Sequence, residues 1–140
     1  MLNKKPYELH IKAIEANDIP NMDAVGKSDP FLTFTLNTTN QKWKTKVKDN
    51  THKPAWNEEF HLPLSEDLSD ELTVTLIDFD DVSKSDNISK KVFKVRDFVK
   101  GQVTDEWYDF EPFKKVKKGG KVRLVFHLDD WKKEPFKASV

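Results

Sequence analysis

The chain has 140 residues, of which 24 are basic and 24 acidic, and 11% are aromatic. This length corresponds to one domain with a single core, and the aromatic content argues against a disordered chain. The zero net charge argues against nucleic-acid binding, and the lack of cysteine excludes disulfide bonds and thiolate chemistry. The apolar runs are too short to span a membrane, and no secretory signal is visible at the N-terminus.

Alternation of apolar and polar residues predicts β-strands along most of the chain. In the first predicted strand, 7–14, Leu9 and Ile11 share one face. One helical turn is predicted at 96–101, and a polar tail, 129–140, is expected to be loosely held. The eight predicted strands, whose short and regular spacing indicates an antiparallel sandwich or barrel, are 7–14, 31–36, 42–48, 57–64, 71–79, 91–95, 106–110 and 121–128.

Charge is unevenly distributed along the chain. Residues 1–48 carry 8 lysines and 5 acids, residues 49–89 carry 2 lysines and 11 acids, and residues 90–140 carry 14 basic and 8 acidic residues. The three net charges are therefore +3, −9 and +6. This segregation indicates either an acidic metal-binding site in the middle segment or an acidic loop exposed to solvent.

Aspartates mark the candidate site. Asp78 and Asp80 end a predicted strand and point to the same side, Asp86 follows in the next loop, and Asp23 and Asp29 flank an earlier loop. Carboxylates about 4 Å apart near a protein surface repel each other by about 4 kcal/mol, which a bound cation would relieve. Oxygen ligands on loops favour Ca²⁺ over Mg²⁺. The alternative is ordinary turn aspartates in solvent.

Four stretches resemble the motifs of one family. Residues 13–20 are similar to its first strand, and 22–31 to its first calcium loop, with the pattern G-x-S-D-P followed by an aromatic residue. Residues 44–58 are similar to the pattern K-T-x-V…P-x-W-N-E, and 78–86 to a D-x-D…D loop. Together they resemble the C2 domains of protein kinase C and synaptotagmin, over residues 7 to about 128.

The resemblance implies an eight-stranded antiparallel β-sandwich with a C2-like Greek key, formed by residues 1–128, with the calcium loops at one end. It also implies the type II strand arrangement, in which the last strand, 121–128, takes the place of the first strand of the other topology.

The resemblance further implies a site for two or three Ca²⁺ ions. The implied carboxylate ligands are Asp23, Asp29, Asp78, Asp80 and Asp86. The implied backbone carbonyl ligands are Met22, Phe79 and Lys84.

Calcium would neutralise the acidic loops and attract them to an anionic membrane, as in an electrostatic switch. The residues expected to contact the membrane are Val25, Lys27, Val82 and Lys84. For the two valines, ordinary loop packing is the alternative.

A second lipid site is implied at a basic patch. Lys42, Lys44 and Lys46 alternate on one predicted strand, where the family often binds phosphoinositides. The alternative is a solvated outer face of a sheet. Lys53 replaces the asparagine that precedes the P-x-W-N-E motif in the family, a position that can contact a lipid headgroup.

The sequence therefore predicts a cytoplasmic, monomeric module that binds phosphatidylserine or phosphoinositide membranes when calcium rises. A protein-interaction domain with weak or no lipid binding is the main alternative, and a metal-dependent hydrolase is the second. No recognisable catalytic motif surrounds the histidines, and His10 and His127 are expected to be structural.

Overall fold

A computed structural model of the protein describes residues 6–22, 26–82 and 84–137. No helix within these ranges is long and apolar enough to cross a membrane. A short 3₁₀ helix, Val95–Asp97, follows the sixth strand. The strands are β1 (Tyr7–Asn17), β2 (Pro30–Leu36), β3 (Lys42–Lys44), β4 (Ala55–Leu64), β5 (Glu71–Asp78), β6 (Asp86–Lys94), β7 (Val103–Asp109), β8 (Glu111–Pro112) and β9 (Lys121–Asp130).

The strands form two antiparallel sheets, in the orders β4-β1-β9-β7 and β3-β2-β5-β6-β8. The predicted all-β antiparallel sandwich is confirmed. The strand count differs by one, because the two-residue β8 adds a short edge to β6. The last strand, β9, pairs with β1 from Tyr7↔Asp130 to Asn17↔Lys121, which is the neighbour that the type II arrangement gives it.

The core lies between the sheets and follows the alternation in the sequence. Leu9 and Ile11 of β1 are fully buried, as are Leu72, Val74 and Leu76 of β5. Each fully buried side chain of this size contributes about 1.5–3 kcal/mol relative to an exposed one. The period of two in the sequence therefore corresponds to the inward faces of the two sheets.

The third strand is shorter than predicted, since β3 ends at Lys44 rather than continuing to Lys48. The hydroxyl of Thr45 accepts a hydrogen bond from the backbone N–H of Leu32 at 2.9 Å. Side chains of β4 then bind the backbone of Lys46: Glu58 accepts from its N–H at 2.9 Å, and the indole of Trp56 donates to its carbonyl at 3.0 Å. Backbone bonds to β2 continue only at single points, from the Thr45 N–H to the Leu32 carbonyl at 2.9 Å and from the Lys48 N–H to the Pro30 carbonyl at 3.0 Å.

The chain after β9 is held more firmly than the sequence suggests. The backbone N–H of Trp131 donates to the carbonyl of Pro6 at 2.7 Å, and that of Lys132 donates to the Glu8 carboxylate at 3.0 Å. The prediction of a loosely held tail over 129–140 is therefore corrected for the part that the structure describes: β9 continues to Asp130, and 131–137 returns along β1.

The chain passes very close to Gly119, just before β9, and a substitution can test this contact. A Cβ atom at Gly119 would lie 1.8 Å from the backbone oxygen of Phe110, whereas one at Gly26 would meet only a side chain at 3.5 Å. We expect Gly119→Ala to lower the free energy of unfolding by about 3 kcal/mol or more, because backbone must move. Gly26→Ala should cost only about 1–2 kcal/mol, for its positive φ. Urea unfolding measures both, and equal losses would contradict the steric argument.

Candidate functional site

Three of the predicted calcium ligands lie on one edge of the five-stranded sheet. Pro30, at the start of β2, pairs with Asp78 at the end of β5, and Asp78 pairs with Asp86 at the start of β6. Asp29 directly precedes Pro30. The ladder therefore places positions 29, 78 and 86, which are far apart in the sequence, at the same end of the sheet.

Backbone hydrogen bonds orient two of these carboxylates. The N–H of Asp29 donates to Oδ1 of Asp78 at 2.8 Å, and the N–H of Phe79 donates to the carbonyl of Asp29 at 2.9 Å. Asp78 is only 3% exposed. Oδ1 of Asp29 accepts a hydrogen bond from the N–H of Asn50 at 2.6 Å, and this bond connects Asp29 to the segment before β4. Backbone N–H groups thus hold both carboxylates in place.

Asp80 shapes the third loop. Its Oδ1 accepts a hydrogen bond from the N–H of Val82 at 2.8 Å, an Asx turn, and its own N–H donates to the hydroxyl of Ser85 at 3.2 Å. The turn leaves Val82 at the tip with 91% of its surface exposed. Lys84 follows and is also exposed.

The first loop is described only in part. Asp23 and Val25 lie outside the described residues, so their predicted roles stay predictions. Within 6–22, 26–82 and 84–137, no three acidic or histidine side chains form a group that could hold a metal ion. Met22 packs against the core, and Lys27 is exposed. The structure brings Asp29, Asp78 and Asp86 to one edge, and the complete predicted ligand set stays a prediction.

Phe79 is an exposed aromatic residue outside the membrane contacts predicted from the sequence. It follows Asp78 directly and is 41% exposed. Its ring contacts Phe31 edge to face, with 6.5 Å between ring centroids. Strand alternation in the sequence indicates where this side chain points, because a residue between Asp78 and Asp80 faces the opposite side from both.

A groove connects the basic patch with the third loop. Its volume is about 490 Å³. Lys44 and Lys46 line it, whereas Lys42 does not contribute to its walls. The other lining residues are Phe31, Thr45, Val47, Glu58, Phe79 and Ser85. Two of the three predicted lysines therefore share a groove with aromatic walls and one carboxylate, and all three are exposed.

Comparison with known proteins gives consistent matches. The family model "C2 domain" matches residues 7–110. Synaptotagmin-4 of Arabidopsis thaliana is 33% identical over 129 residues, which are 88% of this chain and 23% of that protein. The chain spans about a quarter of the length of the synaptotagmins it matches.

Solved structures show the same fold. A C2 domain of a plant extended synaptotagmin 1 superimposes with a TM-score of 0.82 at 21% identity, covering 93% of this chain and all of that one. The two calcium-bound C2 domains of extended-synaptotagmin 2 give a TM-score of 0.78 at 27% identity, covering 91% of this chain and 47% of that one.

The bond between Asp29 and Asp78 can be tested by comparing two uncharged variants. Asp78→Asn keeps an oxygen that can accept the Asp29 N–H, whereas Asp78→Ala leaves this donor without that acceptor. We expect Asp78→Ala to be less stable than Asp78→Asn by about 1–2 kcal/mol in calcium-free urea unfolding. The same pair of substitutions at exposed Asp81 should show no such gap. Equal midpoints for the two Asp78 variants would contradict a structural role for this bond.

Proposed function

Because the chain belongs to the C2 domain family, we propose that it is a peripheral membrane-targeting module that binds anionic phospholipid when its loops bind Ca²⁺. The observation that supports this function best is the β2–β5–β6 register, which aligns Asp29, Asp78 and Asp86 at one edge. Negative groups gathered at the ends of strands are poor lipid ligands by themselves. They become useful when a cation bridges them to lipid phosphate.

The donor set fits Ca²⁺. Carboxylate and carbonyl oxygens are its preferred ligands, and loops supply the flexible geometry that it accepts. We assign two or three ions to the carboxylates of Asp23, Asp29, Asp78, Asp80 and Asp86. The backbone carbonyls of Met22, Phe79 and Lys84 complete the proposed ligand set. The backbone N–H bonds to Asp29 and Asp78 would set their carboxylate directions before the metal arrives.

Electrostatics give the proposed switch its direction. The third loop, 78–86, carries four aspartates and one lysine, a net charge of −3, within the acidic segment 49–89. Without metal these loops repel an anionic leaflet. Each Ca²⁺ adds two positive charges, so two or three ions reduce or reverse the repulsion near the membrane.

Exposed apolar side chains suit a shallow contact with the headgroup layer. Val82 at the loop tip and Phe79 at the end of β5 are both exposed. Lys27 and Lys84 are exposed and could pair with lipid phosphates, and Val25 belongs to the same proposed contact. Burying one such side chain completely is worth about 1.5–3 kcal/mol, so the contact would supplement the calcium bridge.

The groove suits a phosphorylated inositol headgroup. Lys44 and Lys46 supply positive charge, and the rings of Phe31 and Phe79 supply apolar walls. A lysine near an anionic surface contributes about 1 kcal/mol. Lys42 is assigned to the same basic patch as a peripheral charge, since it is exposed but does not line the groove. The proposed activity is binding without catalysis, by a monomer.

Removing two loop charges tests the calcium site. Asp78→Asn with Asp80→Asn should abolish calcium-dependent cosedimentation with phosphatidylserine vesicles, because two carboxylates of the site are lost. Asp97→Asn with Glu66→Gln removes the same charge at the opposite end of β5 and β6, and should leave binding unchanged. Calcium-dependent binding by the Asp78 and Asp80 double variant would refute the assigned site. Binding of the unmodified protein in chelator would favour a calcium-independent interaction domain.

Thermal unfolding separates metal binding from lipid binding in the same variants. At about 100 times its dissociation constant, Ca²⁺ should stabilise the protein by about 2.7 kcal/mol, a rise in Tm of roughly 5 °C or more. Mg²⁺ should give little rise, and the Asp78 and Asp80 double variant should give none with either ion. A rise in Tm without vesicle binding would keep the metal site and reject the membrane function.

The groove is tested by Lys44→Ala with Lys46→Ala. Loss of two lysines, at about 1 kcal/mol each, should weaken binding to phosphoinositide vesicles roughly 30-fold. The rise in Tm with Ca²⁺ should be unchanged, since neither lysine is an assigned ligand. Lys114→Ala with Lys117→Ala removes two exposed charges outside the groove and is the matched control. Equal weakening by both pairs would show that the groove has no specific role.

A further inference from the structure

Three histidines form a row across the four-stranded sheet. His10 of β1 pairs with His61 of β4 on one side and with His127 of β9 on the other. The Nδ1 atoms of His10 and His61 are 2.6 Å apart, and the ring centroids of His10 and His127 are 5.4 Å apart. The row is on the face opposite Leu9 and Ile11, which point into the core.

Two of the three histidines are buried although they lie on the outer face of the sheet, and His61 is exposed. His10 is 2% exposed and His127 is 0% exposed. Nε2 of His10 has no hydrogen-bond partner among the described residues. Burying a polar atom without a hydrogen-bond partner costs free energy relative to leaving it in water. Exposure of this nitrogen to water would therefore be favourable.

The cover is the segment 131–137, here called the C-terminal strap. Its backbone is fastened to Pro6 and Glu8 by the N–H groups of Trp131 and Lys132. Further along, the ring of Phe136 lies 6.1 Å from that of His10 and 6.5 Å from that of His127, centroid to centroid. Phe136 has φ of 61°, a conformation that aromatic residues adopt only when surrounding contacts compensate.

One atom of His127 connects the strap to proton binding. The backbone N–H of Phe136 donates to Nδ1 of His127 at 2.9 Å, so this nitrogen is unprotonated. The other ring nitrogen, Nε2, then carries the proton and donates to Oδ2 of Asp129 at 3.0 Å. A second proton on His127 has to bind Nδ1, the atom that holds the strap.

We propose that the C-terminal strap is a pH-sensitive latch, closed over the histidine row at neutral pH and released when the row takes up protons. Protonation of His127 at Nδ1 removes the acceptor for the Phe136 N–H. It also places a positive charge 5.4 Å from the His10 ring, centroid to centroid, where it opposes a proton on His10, while the Asp129 carboxylate beside Nε2 offsets part of this charge. Both effects favour the state in which the strap has left and the histidines are hydrated.

Charged neighbours of the row set the direction of the response. From β4, His61 and Glu59 face His10, and from β9, His127 and Asp129 do so. Further charges on the adjoining strands and the strap are Glu8 and Lys12 of β1, Asp105 of β7 in its ion pair with Arg123, and Lys132, Glu134 and Lys137.

Burial lowers the pKa of His10, and His61 lowers it further, while Glu8 partly opposes the shift. A histidine whose pKa is lowered by the closed fold stabilises that fold fully above its usual pKa, about 6.5. This stabilisation is lost as the pH falls from there through the lowered pKa. Acidification therefore opens the strap, and neutral pH closes it.

Hydrogen exchange at the Phe136 amide reports the latch directly. In chelator and without lipid, its protection factor should fall at least tenfold between pH 7.5 and pH 5.0, after correction for the intrinsic exchange rate. The amide of Leu76, in the middle of β5, should keep its protection over the same range. Constant protection of Phe136 across this range would overturn the proposal.

Three substitutions identify the responsible group. His127→Gln offers an oxygen acceptor that does not titrate, so the fall in Phe136 protection should disappear. His61→Gln, at the exposed end of the row, removes an imidazole that lowers the pKa of His10 and should move the midpoint to higher pH. If His127→Gln fails to fold, the pH midpoint of Phe136 protection in His61→Gln tests the proposal by itself.

His52→Gln is the matched control. His52 contacts Asn21, away from the row, and its substitution should leave the response unchanged. The latch would be overturned if Phe136 protection still fell in His127→Gln, or if its pH midpoint did not move in His61→Gln. An effect of His52→Gln as large as theirs would also overturn it.

Discussion

The register of β5 between β2 and β6 is the constraint on which the candidate site depends. It aligns Pro30, Asp78 and Asp86 across three strands, and the bond from the Asp29 N–H to Asp78 fastens the first loop to the third. A slip of one residue would turn Asp78 to the other face of the sheet and replace it by a neighbour. Because Leu72, Val74 and Leu76 of the same strand are buried, the core itself holds the register.

The same constraint buries one carboxylate of the proposed metal site. Asp78 is almost completely buried, and burial disfavours a charged carboxylate. Backbone N–H groups reduce this cost, but a cation would reduce it further. In the proposed switch, calcium would offset part of this cost and attract lipid through the charge that it adds.

Ladder pairing also creates the histidine row on the other sheet. His10, His61 and His127 come from three strands and are brought side by side only by the pairing of β1 with β4 and β9. The C-terminal strap then converts an outer face into a buried one. Two polar groupings, one of aspartates and one of histidines, thus depend on the same principle, which is that strand register places equivalent positions of distant segments in contact.

Sequence alone determined the all-β class, the inward faces of the strands and the aspartates at the strand ends, because alternation and turn composition are local properties that tertiary contacts left intact. It also predicted the C2 family from motifs in order. Only the tertiary structure decided that β3 ends at Lys44, where Thr45 and side chains of β4 bind the backbone, and that Lys44 and Lys46 share a groove with Phe31 and Phe79. It likewise decided that 131–137 covers His10. Each of these features joins residues far apart in the chain, and local periodicity contains no information on such contacts.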